Sequence, residues 1–288
     1  MSEVGKQRKN LLIPDIYAGG WQTTEKSTIK GECIMSRHSH SPFKFITLKE
    51  DINMNKQKAI RTIVNAAKLY NKHLEGQKVL FLYGIPSEVK GQLANSTTLS
   101  TIHSYEVVFN KNNFLHLTGI RLNKDTVESP NHFYAKCLDN RLTENDFTFA
   151  KDGSTKQKLD ILESIMKIKQ NANMIGDFTD RGIKLYTQKV AGGTYGCIGF
   201  VTDVRTKLNV PNTLLKKDIR DVTKRPANKI FAIMSKPYTS DKYCKLDKID
   251  KCIDLSLIRF TEDIEAKLDR KLLVNINKAV SLKSQSIK

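Results

Sequence analysis

The chain has 288 residues, room for one large domain or two small ones, and 39% of them are hydrophobic, enough for a core. Its formal charge of +18, with a pI near 9.6, excludes indifference to polyanions. Phosphate polymers are the first partners expected and anionic membrane surfaces the second, set against a generally lysine-rich composition as the plain alternative.

No apolar run follows Met1, so no secretory leader is expected, and no stretch approaches the length of a membrane span. Cys33, Cys137, Cys197, Cys244 and Cys252 are scattered without CxxC spacing. They are read as free thiols in a reducing compartment, the cytoplasm.

Residues 1–44 lack a regular apolar pattern and predict an irregular or mobile arm. Within it, Cys33, His38 and His40 form no complete ligand set, and an exposed loop is the stronger reading. Phe45 to Leu48 suits a short strand. A helix is predicted over about 55–74, with Ile60, Ile63, Val64, Ala67 and Tyr70 on one side and Gly76 as its C-cap. Residues 79–83 predict a buried strand and 105–109 a second one. Asn110 to Asn113 reads as a turn leading into Phe114-Leu115-His116-Leu117-Thr118-Gly119-Ile120, which is expected to be a strand hairpinned to 105–109. In that strand the period of two sets His116 and Thr118 on one face, an imidazole beside a hydroxyl. A hydrogen-bonded core histidine is the plain alternative.

Ser129-Pro130 starts a helix running to Leu142, and Asp152-Gly153-Ser154-Thr155 starts another whose face holds Leu159, Leu162 and Met166. Short β-rich runs follow at 173–177, 183–190, 195–201 and 229–235. Helices first and an antiparallel meander afterwards indicate an α+β fold. Leu257, Phe260, Ile264, Leu268 and Leu272 mark a last amphipathic helix docked on the core, and 281–288 should fray.

No P-loop, GxGxxG, HExxH, GxSxG or paired-carboxylate motif is present, and the acidic residues are scattered among lysines. A metal-dependent nuclease is therefore disfavoured, and no cofactor or metal is expected. In 184–190 alternation sends Lys184, Tyr186 and Gln188 one way and Thr187 and Lys189 the other, so either face offers a cation and a hydroxyl. A solvent-facing row is the alternative of equal weight. Such groups suit RNA: a base takes the 2′-OH proton, the oxygen attacks the phosphate, and cations hold the developing charge.

Six segments in order resemble a known family. They are 114–120, Phe133-Tyr134-Ala135-Lys136-Cys137-Leu138-Asp139-Asn140-Arg141-Leu142, 152–159, Asn173-Met174-Ile175-Gly176-Asp177, Lys184-Leu185-Tyr186-Thr187-Gln188-Lys189, and 210–221. Together they are similar to the phage-associated barnase–EndoU–colicin E5/D–RelE-like nuclease domains of the fourth group, found on phages and mobile elements, over about residues 55–236. The resemblance implies helices packed on a small four-stranded antiparallel sheet, and RNA cleavage. It places His116, Thr118, Lys136, Arg141, Lys184, Thr187, Lys189 and Arg220 at motif positions.

The expectation is a metal-independent ribonuclease over 45–237, preceded by the arm 1–44 and followed by a basic extension, 238–288. His116 is the acid or base, Lys184 and Lys189 meet the phosphate, and Thr118 and Thr187 orient or donate. Lys136, Arg141 and Arg220 bind nucleic acid. RNA is the expected partner, with DNA or a host ribonucleoprotein as alternatives and no membrane. The competing reading is an inactive nuclease fold that binds nucleic acid or a host ribonucleoprotein, for instance as an anti-CRISPR-like inhibitor of host defence. A structural phage protein ranks last.

Overall fold

The computed structural model describes residues 55–84, 102–179, 185–224, 227–251 and 260–274. The chain divides into two compact units, Met1–Thr47 and Leu48–Lys288, and every described residue belongs to the second. The expected arm at 1–44 and the strand at 45–48 lie outside the described residues.

Helix α1, Lys56–His73, begins where the Asn55 side chain accepts from the Gln57 amide. It buries Ala59, Ile63, Ala66, Ala67 and Tyr70 and gives way to Gly76, whose φ of 70° continues the turn without a Cβ penalty. The chain then runs through β1 (Gln77–Gly84) and β2 (His103–Phe109), an antiparallel pair in the register Gln77 to Phe109.

The next stretch departs from the sequence expectation. Residues 114–118 form a short helix, α2 (Phe114–Thr118), not a strand, and β2 has no hairpin with them. Two local bonds turn the chain. The Asn113 side-chain oxygen accepts from the Asn110 amide at 3.1 Å, and the Tyr70 hydroxyl donates to the Asn110 carbonyl at 2.8 Å. Phe114, Leu117 and Thr118 are then buried at helical spacing, and Gly119 ends the helix at a φ of 71°. Gly119 was the sequence signal for a helix end, and alternation between polar and apolar residues obscured it.

After β3 (Ile120–Leu122) comes α3 (Pro130–Leu138), capped by the Ser129 hydroxyl on the His132 amide as its sequence indicates. Strand β4 (Phe147–Phe149) pairs with β3 in a separate ribbon. Helices α4 (Ser154–Ile165) and α5 (Ile168–Asn171) follow. Thr155 ties α4 to the end of α2: its buried hydroxyl donates to the Gly119 carbonyl at 2.6 Å and accepts from the Ala150 amide at 2.9 Å.

The remaining strands are β5 (Met174–Asp177), β6 (Lys189–Gly192), β7 (Cys197–Thr202), β8 (Asn209–Leu215), β9 (Asn228–Pro237) and β10 (Lys245–Ile249). The main sheet is antiparallel and has eight strands, in the order β2-β1-β9-β5-β6-β7-β8 with β10 also on β9. The α+β class holds, while the expected small four-stranded sheet is replaced by this larger one, curled into a half-barrel. Its two outer strands meet where the Asn209 side-chain Nδ2 on β8 donates to the Glu106 carbonyl on β2 at 2.9 Å. In the described part of the expected strand at 183–190, residues 185–188 are not in a strand and β6 begins at Lys189, and β8 was not expected as a strand at all.

One face of the sheet carries the helices. Phe81, Phe109, Ile175, Ala191, Ile198, Phe200 and Leu214 meet residues of α1 to α4 there in one core. On the other face Leu80, Leu82, Ala232 and Met234 pack against Tyr243, Ile264, Leu268 and Leu272. The boundary expected after Pro237 therefore falls inside a β9–β10 pairing. The expected last helix is interrupted as well. Helix α6 covers only Glu262–Glu265, and Leu268 then bridges Tyr243 in extended form, with the Tyr243 amide donating to the Lys267 carbonyl at 2.8 Å.

A stability test follows for the α2–α4 junction. Thr155→Val keeps the shape and leaves two buried backbone groups without their partner. It should lower the unfolding free energy by about 1–3 kcal/mol in urea titration; an unchanged midpoint would show that the junction does not depend on this hydroxyl.

Candidate active site

The helix-covered face is apolar along most of its length and becomes polar at one end. On β1 the side chains on this face are Val79, Phe81 and Tyr83, and on β2 they are Phe109, Val107, Tyr105 and, by alternation, His103. On β5 and β6, Ile175 and Ala191 belong to the core, and Asp177 and Lys189 lie two residues further along the same face. Antiparallel pairing carries all of these strands to a common end, where Tyr83 opposes His103 and Asp177 opposes Lys189.

Lys189 is the centre of that end. Its Nζ lies 2.5 Å from Asp177 Oδ1, 5.6 Å from the centre of the Tyr83 ring and 5.5 Å from that of Tyr105. The Lys189 side chain is only 16% exposed whereas that of Asp177 is 61% exposed, so a cation is held in place with its counter-ion on the solvent side. The ring of the exposed His103 packs on Tyr83 with centroids 5.5 Å apart. The Tyr105 ring rests on Phe200 at 5.9 Å, and its hydroxyl is buried without a hydrogen-bond partner. Thr179, two residues beyond Asp177, has a buried hydroxyl in the same condition. Burial, together with Tyr83 and Asp177 nearby, pushes the Tyr105 phenol well above its usual pKa and keeps it a donor.

The arrangement offers a fixed cation, an exposed imidazole, two aromatic rings and hydroxyls with unused hydrogen-bonding capacity. Such a set can bind an anionic ester, stack on a base and move a proton. A separate cleft of about 230 Å³ lies at the opposite end of β5 and β6, lined by Asn171, Asn173, Gly192, Gly193 and Tyr195 among others. No charged side chain lines it, so it lacks the cation that a phosphate needs. Among the described residues no group of three or more His, Cys, Asp or Glu is placed to share a metal ion.

Of the described residues singled out in the sequence, Lys189 alone stands in this cluster. Lys184 lies outside the described residues, in the connection from β5 to β6. Thr187 precedes β6, and its hydroxyl sits 3.3 Å from the Asn212 side chain, with no partner shared with Lys189. His116 stands on α2, outside the sheet. The residue is exposed overall while its imidazole is partly desolvated beside Lys158, and its backbone carbonyl accepts from Lys158 Nζ at 3.2 Å. Thr118 is buried and spends its hydroxyl on the Leu115 carbonyl at 2.8 Å, closing the last turn of α2. The helical geometry thus removes the shared strand face that had joined His116 to Thr118.

The three expected nucleic-acid contacts are engaged within the chain. Lys136 Nζ lies 2.6 Å from Asp146 Oδ1, and Asp146 also accepts from the Thr143 amide and hydroxyl. Arg141 pairs with Asp139 at 2.5 Å and Arg220 with Asp218 at 2.5 Å, both guanidinium groups remaining largely exposed. Of the five cysteines, Cys137, Cys197 and Cys244 are described and are free thiols. Burial pushes the Cys197 thiol up to about 12, so it is no nucleophile.

His103, Tyr83, Tyr105, Asp177 and Thr179 were not singled out from the sequence. Alternation along 79–83 and 105–109 already put each tyrosine on the face of its phenylalanine. The missing knowledge was the pairing, which brings two distant strand ends beside β5 and β6.

The chain matches a family model described as phage-Barnase-EndoU-ColicinE5/D-RelE like nuclease4 over residues 62–251, more than half of its length. The match begins inside α1 and ends just after β10, and it includes every residue of the Lys189 cluster. Comparison with curated proteins and with solved structures gives no significant match. Among the described residues no helix is long and apolar enough to cross a membrane.

Two measurements separate structural from site residues. Lys136→Ala strands the Asp146 carboxylate, whose side chain is 2% exposed, and should cost about 3 kcal/mol in urea unfolding. A variant of wild-type stability that binds nucleic acid less well would return Lys136 to the binding surface. For His116, desolvation and then the charge of Lys158 lower the imidazole pKa below its usual 6.5. The unfolded chain binds this proton more readily, so the stability contribution of His116 is complete above pH about 6.5. It is lost as the pH falls from there through the folded-state value. An NMR titration should show the His116 midpoint below 6.5, and a midpoint at or above that value would contradict the desolvated placement.

Proposed function

The chain belongs to the phage-Barnase-EndoU-ColicinE5/D-RelE like nuclease family and is a nuclease-type protein, and on that premise we propose that it cleaves RNA at the Lys189 cluster, by attack of a ribose 2′-hydroxyl on the adjacent phosphate. The observation that carries this reading is the position of Lys189 over two tyrosine rings, one of which also packs against His103. A cation for phosphate, a ring for a base and an imidazole for a proton come together at one end of the sheet. The formal charge of +18 supplies attraction for the polymer as a whole.

In this reading neutral His103 takes the proton from the 2′-hydroxyl as its oxygen bonds to phosphorus. The bond from phosphorus to the 5′-oxygen breaks, and the His103 imidazolium returns its proton to that oxygen. The products are a 2′,3′-cyclic phosphate and a 5′-hydroxyl, with no net proton consumed. Lys189 exchanges part of its interaction with Asp177 for the phosphoryl oxygens, whose charge rises as the fifth bond forms. Tyr83 offers its face to the base beside the cut.

The experiment is cleavage of end-labelled RNA by the purified full-length chain, with EDTA present and over a range of salt. Cyclic-phosphate ends should appear, and a 2′-deoxy residue at the cut site should block cleavage. His103→Ala and Lys189→Ala should each lower the rate by about a hundredfold or more with the fold retained by circular dichroism. Affinity for an uncleavable oligonucleotide should fall steeply as salt rises. Two outcomes overturn the proposal. RNA that is bound and never cut makes the chain a binder, the competing reading. A large loss in His116→Ala with none in His103→Ala moves the chemistry to α2.

A further inference from the structure

We propose that Tyr105 is a catalytic residue of this site, its hydroxyl donating a hydrogen bond to a non-bridging oxygen of the scissile phosphate. The proposal rests on the ribonuclease reading above and assigns it a group that neither the sequence motifs nor the family match singles out.

The first ground is the hydroxyl itself. Tyr105 Oη is shielded from solvent and meets no acceptor, while two other buried tyrosines, Tyr70 and Tyr243, donate to the Asn110 carbonyl and to Glu106. A buried donor without an acceptor is costly and uncommon, and it calls for a partner that arrives from outside the protein. The second ground is position. The Lys189 ammonium lies 5.5 Å from the Tyr105 ring centre, and Asp177, its counter-ion, bears on the Tyr105 phenol, so an anion that displaces Asp177 from Lys189 takes a place beside the same hydroxyl. The third ground is rigidity. Tyr105 pairs with Phe81 across β1, its ring lies against Phe200, and the Asn209 bond to the Glu106 carbonyl ties the next residue to β8. A donor fixed before the substrate arrives costs no reorganisation when charge develops.

The plain alternative is a tyrosine kept for packing, its hydroxyl left over. The two differ in what the oxygen is worth. A leftover hydroxyl can be removed with no effect on catalysis. A donor aimed at the phosphate matters most when the pentacoordinate centre forms, since its oxygens then carry more charge than in the bound substrate. Tyr105 transfers no proton in this scheme: the phenol keeps its hydrogen throughout, and His103 carries the proton from the 2′-oxygen to the 5′-oxygen.

Tyr105→Phe is the test, because it removes one oxygen and preserves the ring that Lys189 and Phe200 contact. With full-length protein and a short RNA, kcat should fall by about a hundredfold with KM nearly unchanged. The thermal midpoint should stay level or rise, since the lost group had no partner. A phosphorothioate at the cut site adds a readout that packing cannot move: wild type should prefer one diastereomer, and Tyr105→Phe should lose that preference. Cleavage by Tyr105→Phe at the wild-type rate overturns this proposal and leaves the ribonuclease reading intact. A slower variant that keeps the diastereomer preference and melts earlier makes Tyr105 a packing residue. Failure of the wild-type chain to cut any RNA overturns both.

Discussion

The bond from the Tyr70 hydroxyl to the Asn110 carbonyl decides which way the chain leaves β2. Tyr70 is fully buried at the end of α1, and its ring meets Phe109, Phe114 and Tyr134 with centroids 6.1, 5.4 and 5.8 Å apart. One side chain thus joins α1, the end of β2, α2 and α3. Its hydroxyl satisfies a carbonyl at the turn where the strand ladder stops, and the chain bends into α2 and does not return along β2. β2 is therefore left with one strand partner, β1, and its other side is free to meet β8 through Asn209. The curl of the sheet, and with it the placement of His103 and Tyr105, follows from that turn.

The sheet divides its two faces cleanly. Apolar residues at alternate positions of β1 serve the helices with Phe81 and the C-terminal segment with Leu80 and Leu82. Charge at the far edge is handled by burial in pairs. Lys169 on α5 and Asp247 on β10 are 2% and 1% exposed and stand 3.4 Å apart, and Lys169 also donates to the Gln77 side chain at 2.5 Å. Desolvation lowers the pKa of Lys169 while Asp247 opposes the shift. Such a pair adds little net stability and specifies where β10 must lie.

Much of this was legible in the residues. The helix starts at Asn55 and Ser129 are set by chemistry that acts locally, and the structure has them at those places, while Gly76, expected as a C-cap, lies two residues beyond the cap Leu74 and carries the positive φ that turns the chain. The run 79–83 gave a strand because its branched and aromatic residues are buried on both faces, and 173–177 gave a short one around the buried Ile175 and Gly176. The segment 114–120 misled because seven residues are too few to distinguish a period of two from one of 3.6. β8 was obscured by Pro211 and Asn212, which an outer strand tolerates and a central one would not. The site was the least legible part. Tyr83, His103 and Tyr105 are near one another in sequence, yet Asp177 and Lys189 reach them only through strand order, which no local pattern encodes.

Strand β9 lies between β1 and β5, and it is the strand on which that order depends. It pairs Tyr83 with Ile230 on one side and Ile175 with Asn228 on the other, so it joins the two halves of the Lys189 cluster. During synthesis β1 waits for a partner made about 150 residues later, roughly 10–30 s at ordinary elongation rates. Within that interval β2 can already set His103 and Tyr105 against β1, and Asp177 and Lys189 emerge later, but β9 is still needed to bring the two pairs side by side. The cluster is complete only once nearly the whole sheet has left the ribosome, because its two halves meet across a strand made after both of them.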